Sequence, residues 1–343
     1  VKALVHTKPY KFNYTDIPDP VAGPEDVVVR VHAVGICGSD VHGYTGQSGR
    51  RIPPIVMGHE ASGVVHSIGS EVKGFVPGER VCFDSTIYCG QCDACRKGAV
   101  NRCIHRQVLG VSIPGMKRQG AMAEYVVLPS WTLVRMPDTL SFEEAAMLEP
   151  VSIGLHAVNQ ATLSFADTVL VVGAGTIGLF VIQAARAQGA GRIVVSDPNP
   201  FRRELARQLG ADVAIDPDSD DLPNKIGELT DGRGVDVAFE VVGFASTLHQ
   251  AIRCTATGGK VILVGNLTPN VELNVQEIIS RELTLRGSYA SSGEYRDAVG
   301  LVSSGKIQVQ PLISEIRPLS EGQQCFDRLH AGKENLIKII LKP

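Results

Sequence analysis

No apolar run in this 343-residue sequence approaches the length a bilayer demands. The longest, such as Val169 to Ala174 and Val261 to Gly265, fall far short of the roughly 20 residues of a membrane-spanning helix, so no transmembrane segment is expected. Excess positive charge is missing too: 33 Lys and Arg against 36 Asp and Glu give a formal net charge of −3. Neutralising phosphates needs clustered cations, so nucleic acid is not an expected partner. No internal repeat and no low-complexity segment is present, which excludes solenoid architectures. The opening Val1 to His6 alternates like a strand, without the basic-then-apolar pattern of a secretory signal, and a cytoplasmic location is the expectation.

What the chain does have is enough apolar material for a core: 44% hydrophobic and 20% charged residues, over a length that favours two domains rather than one. Its eight cysteines are unevenly spent, because four crowd between Cys89 and Cys103. They lie too close together to staple a chain of this length by disulfides. In a reducing compartment, metal binding is the better use for them.

Up to about Pro129 the pattern is one of short β-rich runs punctuated by Gly and Pro: Asp26 to Ala33, Ala61 to Ile68, Arg80 to Phe83 and Glu124 to Leu128. An antiparallel, barrel-like domain is expected there. Ser141 to Gln160 reads as one helix, with Ser141 and Glu144 spaced as a capping box. From Thr168, strands alternate with helical stretches: Val169 to Val172, Ile193 to Ser196, Val213 to Ile215, Val235 to Val241, Lys260 to Val264 and Leu283 to Gly287. That rhythm predicts a doubly wound parallel sheet, hence an α/β fold. The expected division is a β-rich domain over 1–150, an α/β domain over 151–290, and a segment 291–343 that rejoins the first domain.

Gly173-Ala174-Gly175-Thr176-Ile177-Gly178 follows a strand and opens the helical stretch Ile177 to Gln188, the context in which this glycine pattern binds a dinucleotide. Gly173 permits the turn, Gly175 admits the pyrophosphate and Gly178 lets helix and strand pack, while the helix N-terminus favours negative charge. Asp197 comes 19 residues after Gly178. A carboxylate there accepts from the ribose hydroxyls and repels a 2′-phosphate, so NAD is expected over NADP. Arg202 and Arg203 stand close by and could receive the phosphorylated cofactor instead.

Cys89, Cys92, Cys95 and Cys103 form C-x2-C-x2-C-x7-C. Four thiolates close a tetrahedral zinc site and leave no position for substrate, so its expected role is structural. A ferredoxin-like cluster would place its last cysteine after three residues and follow it with proline; here Ile104 follows. A second group is dispersed: Cys37-Gly-Ser39-Asp40-Val-His42, Gly58-His59-Glu60 and Glu149-Pro150. Thiolate, imidazole and carboxylate together are the ligand set of a catalytic zinc that keeps one position open. Cys82, Cys254 and Cys325, and His6, His66, His105, His156, His249 and His330, lack such company.

On these motifs, joined by Glu149-Pro150-Val-Ser-Ile-Gly154, the chain resembles the zinc-dependent medium-chain alcohol dehydrogenases and, within them, the polyol (sorbitol-like) branch. The resemblance implies a GroES-like catalytic domain and a Rossmann domain with the active site in the cleft between them, commonly in a homodimer or homotetramer. It makes Cys37 and His59 zinc ligands, with Glu60 or Glu149 as the carboxylate and an exchange of the two during turnover left open. Asp40 would hold the other ring nitrogen of His59. Ser39 would take the proton of a small-molecule alcohol and pass it through the nicotinamide ribose to His42, while hydride goes to NAD. The loop after His42 lacks the aromatic pair of resembling sorbitol enzymes, and Ala290 stands where those enzymes carry an arginine, which argues against sorbitol itself. Arg50 and Arg51 leave open a phosphorylated sugar alcohol. The motifs also admit a threonine-like amino alcohol as substrate, or a zinc- and NAD-binding redox sensor without turnover.

Overall fold

The computed structural model describes residues 1–343, which form two compact units. The first comprises Val1–Glu149, Tyr295–Ser303 and Val309–Pro343; the second, Pro150–Glu294 and Ser304–Gln308. No helix is long and apolar enough to cross a membrane.

The first unit is organised about the strand Asp26–Gly35, whose five valines are all buried. Along one edge it pairs antiparallel with Glu60–Ile68, so that Gly35 lies opposite Glu60. The other edge is shared: Tyr125–Pro129 covers its first half, and Lys338–Lys342 meets Val34 and Gly35. Two register shifts in the pairing with Glu60–Ile68 sharpen the local twist, as a curling sheet requires. Among the strands of this unit the expectation of antiparallel pairing holds except for one pair. Ile313–Pro318 and Lys338–Lys342 run parallel, because the helix Gly322–Ala331 carries the chain back between them. That C-terminal helix is tied in by aromatic packing: Phe12 lies 4.5 Å from Phe326 and stacks on Tyr44 at 5.4 Å.

The single helix expected over 141–160 is two, Phe142–Ala146 and Leu148–Ala161. Ser141 and Glu144 do form the capping box. The break has a cause in the sequence, since Pro150 has no N–H to donate and is tolerated only in a first turn, which makes the helix restart at Leu148.

The second unit holds a six-stranded, wholly parallel sheet in the order Val213–Ile215, Arg192–Ser196, Thr168–Val172, Val235–Glu240, Thr255–Leu263, Thr284–Gly287. Every residue of Thr168–Val172 is buried, as expected of a central strand covered on both faces. The order reverses beside this strand, between it and Val235–Glu240. A doubly wound sheet binds its ligand outside the carboxyl ends of its strands at such a reversal.

Candidate metal centres and nucleotide cradle

In the first unit, Cys37 ends the approach from the central strand and caps the short helix Gly38–Tyr44, with its sulfur 3.5 Å from the Ser39 amide and 3.3 Å from Ser39 Oγ. His59 immediately precedes the paired strand Glu60–Ile68. Sheet pairing therefore brings two sequence fragments together. Donor atoms of Cys37, His59 and Glu60 all lie within 4.8 Å of one another. Sulfur, imidazole nitrogen and carboxylate oxygen at such spacing suit one zinc ion.

Each member of the group is braced. Asp40, fully buried, approaches His59 Nδ1 at 3.5 Å. Burial alone would raise the Asp40 carboxyl, but His59 and Arg51 outweigh it and hold it well below the usual range. Burial would likewise lower His59; Asp40 and Cys37 prevail and raise it well above an ordinary histidine. Glu60 receives both of its bonds from Lys338 Nζ, at 2.9 and 2.6 Å, and the same ammonium donates to the Ile36 carbonyl at 3.0 Å. Both side chains of that ion pair are only 1% exposed. Burial lowers Lys338, yet the Glu60 charge outweighs this and raises it.

Glu149, the other candidate carboxylate, is not among the three clustered donors. It is buried, accepts from Ser85 Oγ at 3.2 Å and is pushed up to about 7, first by burial and then by the neighbouring Glu60 and Asp84 charges, with His59 opposing. The two glutamates thus differ: one is neutralised by a lysine, and the other is strained by desolvation. A nearby dication would relieve the second. His42 lies half-buried in the last turn of the Cys37-capped helix.

The four-cysteine lobe is compact, with Cys92 and Cys95 sulfurs 3.5 Å apart, Cys103 and Cys89 also 3.5 Å apart, and all four within 4.8 Å. Backbone amides of Cys95 and Ile104 draw Cys92 down to about 6, whereas burial and the adjoining thiols push Cys95 up to about 12. Crowded thiols cannot all ionise without a cation among them, and this donor set suits zinc.

In the second unit, Gly173 has φ +105°, and a Cβ on it would lie 2.6 Å from Val242 Cγ2; one on Gly178 would collide with the Gly173 carbonyl. Nothing lies within 4 Å of a Cβ on Gly175. The space is open beside the first turn of Thr176–Ala187, a helix whose N-terminus has no side-chain cap. Such a terminus suits a diphosphate. Thr176 and Ile177 supply its first turn. Asp197, 4% exposed, accepts from the Ala174 and Asn199 amides, both at 2.8 Å, through different oxygens. Its orientation is thereby fixed, and further lone pairs stay available for hydroxyl donors.

Two readings of arginines need correction. Arg51 is no phosphate clamp: its side chain is 4% exposed and its Nε and Nη2 reach Asp40 Oδ1 at 3.0 and 2.9 Å. Arg203 is taken by Asp216 at 3.0 Å and by the Asp197 and Pro198 carbonyls, so it does not stand ready for a 2′-phosphate. Arg202 lies half-buried on the same helix. Sequence reasoning also missed Lys338, whose only signal was a cation opening an apolar terminal strand.

Residues 23–138 match the alcohol dehydrogenase GroES-like domain, and residues 176–304 match the zinc-binding dehydrogenase family. An L-idonate 5-dehydrogenase from Vitis vinifera is 40% identical over 94% of this chain and 89% of its own. A sorbitol dehydrogenase from Bacillus subtilis (strain 168) is 34% identical over 100% and 97%. A solved structure from Sinorhizobium meliloti 1021, assigned as a zinc-binding dehydrogenase and bound to NADP, superposes with a TM-score of 0.91 at 33% identity, covering 100% of this chain and 99% of that one. Similarity that runs through both units and along nearly the full length settles the family: the chain belongs to the zinc-dependent medium-chain alcohol dehydrogenases, in their polyol dehydrogenase branch, and is an oxidoreductase of zinc and a nicotinamide cofactor.

Proposed function

We propose that this enzyme oxidises a secondary hydroxyl of a polyol or kindred polyhydroxy compound to the ketone, with NAD as hydride acceptor. The observation that carries the reading is the convergence of Cys37, His59 and Glu60 within 4.8 Å, in a chain that also builds the Gly173 to Gly178 cradle. Cys37 and His59 would hold zinc with Glu60 or Glu149, and Gly175, the first turn at Thr176 and Ile177, and Asp197 would hold NAD. Zinc supplies a Lewis acid that lowers the alcohol's pKa, and NAD supplies the hydride acceptor.

The chain's own residues do the rest. Ser39 Oγ, fixed 3.3 Å from Cys37 Sγ, accepts the hydroxyl proton and passes its own onward, with His42 as the group that hands it to solvent. Asp40 Oδ2 faces His59 Nδ1 at 3.5 Å and would orient a proton there, leaving Nε2 to ligate. Asp197 selects a free ribose over a 2′-phosphate, with Arg202 as the residue that would accommodate the latter. The four thiols of Cys89 to Cys103 hold a structural zinc.

The test is a substrate panel with zinc-loaded protein and both NAD and NADP. It includes sorbitol, L-idonate, other sugar alcohols, their phosphate esters and L-threonine. Reduction of NAD by an unphosphorylated polyol or polyhydroxy acid is the expected result. Oxidation of L-threonine alone would reassign the substrate, and silence across the panel with zinc bound would leave a sensor. Cytoplasmic residence belongs to the same proposal, as does a homodimer or homotetramer formed along the terminal strand Thr284–Gly287; cell fractionation and light scattering test them.

A further inference from the structure

We propose that Arg51 is a positioning residue of the metal centre, one buried guanidinium that fixes both the support behind His59 and the proton acceptor Ser39. The inference rests on the reading of Cys37 and His59 as the zinc pair and of Ser39 as the proton acceptor.

Arginine at the end of the segment Thr45 to Arg51 would by default lie in water. Here the side chain is 4% exposed, and every nitrogen has a partner. Nε and Nη2 lie 3.0 and 2.9 Å from Asp40 Oδ1, Nη2 also lies 3.2 Å from Ser39 Oγ, and Nη1 donates to the Arg50 carbonyl at 3.1 Å. The remaining Asp40 oxygen faces His59 Nδ1 at 3.5 Å, and Ser39 Oγ faces Cys37 Sγ at 3.3 Å. The contacts therefore run from one metal-ligating residue to the other: His59, Asp40, Arg51, Ser39, Cys37.

A second observation is independent of these bonds. Any side chain on Gly43 would collide with the Arg51 stem, its Cβ only 2.9 Å from that of Arg51. The short helix that carries Ser39 and Asp40 thus keeps a slot for this side chain. Taking a guanidinium and a carboxylate out of water is costly, and it is repaid only when geometry is well met on both sides.

The chemistry asks for both contacts. A serine hydroxyl has one proton and two lone pairs. Arg51 occupies one lone pair, which stops the rotor and leaves the other to accept from the alcohol while the proton moves onward. The same cation stabilises negative charge on Oγ should the outgoing proton lead. Through Asp40 it also holds the His59 ring in its ligating orientation. Guanidinium spans the two acceptors from one rigid plane, which an ammonium does not.

The experiment compares Arg51→Gln and Arg51→Lys with the parent protein. It follows zinc release to a chromogenic chelator, with the Cys89 to Cys103 lobe as internal reference, the ligand-field bands of the cobalt(II)-substituted protein, and kcat separately from the KM for NAD. Arg51→Gln should release metal from the Cys37–His59 centre about 10- to 100-fold faster, shift the cobalt bands and lower kcat, with the lobe and the KM for NAD unchanged. Arg51→Lys should restore metal retention but not kcat. Parental metal retention and cobalt bands in Arg51→Gln, or full recovery of kcat by lysine, would overturn the proposal. Where Arg51→Gln does not fold, Asp40→Asn with Arg51→Gln removes both buried charges; it should fold and release metal as fast, and parental retention in it overturns the proposal too. A parent protein with zinc in the lobe only, or undiminished turnover in Ser39→Ala, sinks the underlying reading and is seen without any Arg51 variant.

Discussion

The two candidate metal sites of the first unit meet the same coordination problem from opposite ends. The lobe would draw all four ligands from a stretch of fifteen residues, Cys89 to Cys103, and no residue from Gly90 to Val100 is buried. Its order comes from the thiols and the ion they suit. The Cys37–His59 centre would draw its ligands from the end of one strand and the start of its neighbour, and every support is buried: Asp40 with Arg51, Glu60 with Lys338, Glu149 with Ser85. A closed site needs only its ligands. An open site must hold an incomplete shell in shape without the ion's help, and here two buried ion pairs and a buried hydrogen bond do that holding.

Removing the ligands should separate the two most sharply. His59→Ala or Cys37→Ser is expected to lower kcat/KM by at least about a thousandfold, because the Lewis acid contributes several kcal/mol to the transition state. Circular dichroism should stay that of the parent, and metal analysis should show loss from this centre alone. A variant that kept its turnover would remove zinc chemistry from Cys37 and His59. Next in size is Lys338→Met, which leaves Glu60 charged and unpaired and should cost about 3–5 kcal/mol in urea unfolding. The Glu60→Gln, Lys338→Met double variant should recover most of that loss. If it recovers none, Lys338 acts through packing rather than charge.

The third expectation concerns Glu149. Its carboxyl is raised from 4.5 to about 7 by burial, so in the metal-free protein it favours folding while neutral. That contribution is complete below about 4.5 and is lost as pH rises through about 7. Ionised, the group opposes folding by about 3 kcal/mol, since each pKa unit corresponds to about 1.36 kcal/mol. Metal-free Glu149→Gln should therefore gain on the parent by up to that amount at pH 8 and match it at pH 4. Zinc should close the gap from the parent's side. An equal gap at both pH values would mean that ionisation of Glu149 plays no part.

The contrast between the sites also explains what could be read from sequence. The lobe was legible because its ligands are neighbours along the chain, and the cradle because Gly173 to Gly178 and Asp197 keep their order between strand and helix. The dispersed candidate ligands read only as fragments, joined by their resemblance to a family. Their supports were hidden: Lys338 lies 278 residues from Glu60, and nothing in Gly49-Arg50-Arg51 distinguishes a buried guanidinium from two solvated ones. The split of the 141–160 helix at Pro150 was visible in principle, since proline's missing N–H marks a first turn. Periodicity alone ran across it. Long-range pairing decides these positions, and local pattern does not carry it.

The smallest effect should come from the lobe itself. Cys95→Ser takes away one of four thiols, and with it most of the affinity of a site in which no residue from Gly90 to Val100 has a core to fall back on. The surrounding sheet owes the lobe few buried contacts, so loss of order should stay local. Arg96 and Lys97 then become a trypsin site, and a nick there, in protein whose Asp26–Gly35 sheet still unfolds cooperatively, is the expected result. Turnover should fall less than in any variant of the open centre. Resistance to trypsin after metal loss would mean that the lobe has packing of its own, and the contrast between a site held by its ion and one held by its neighbours would fail.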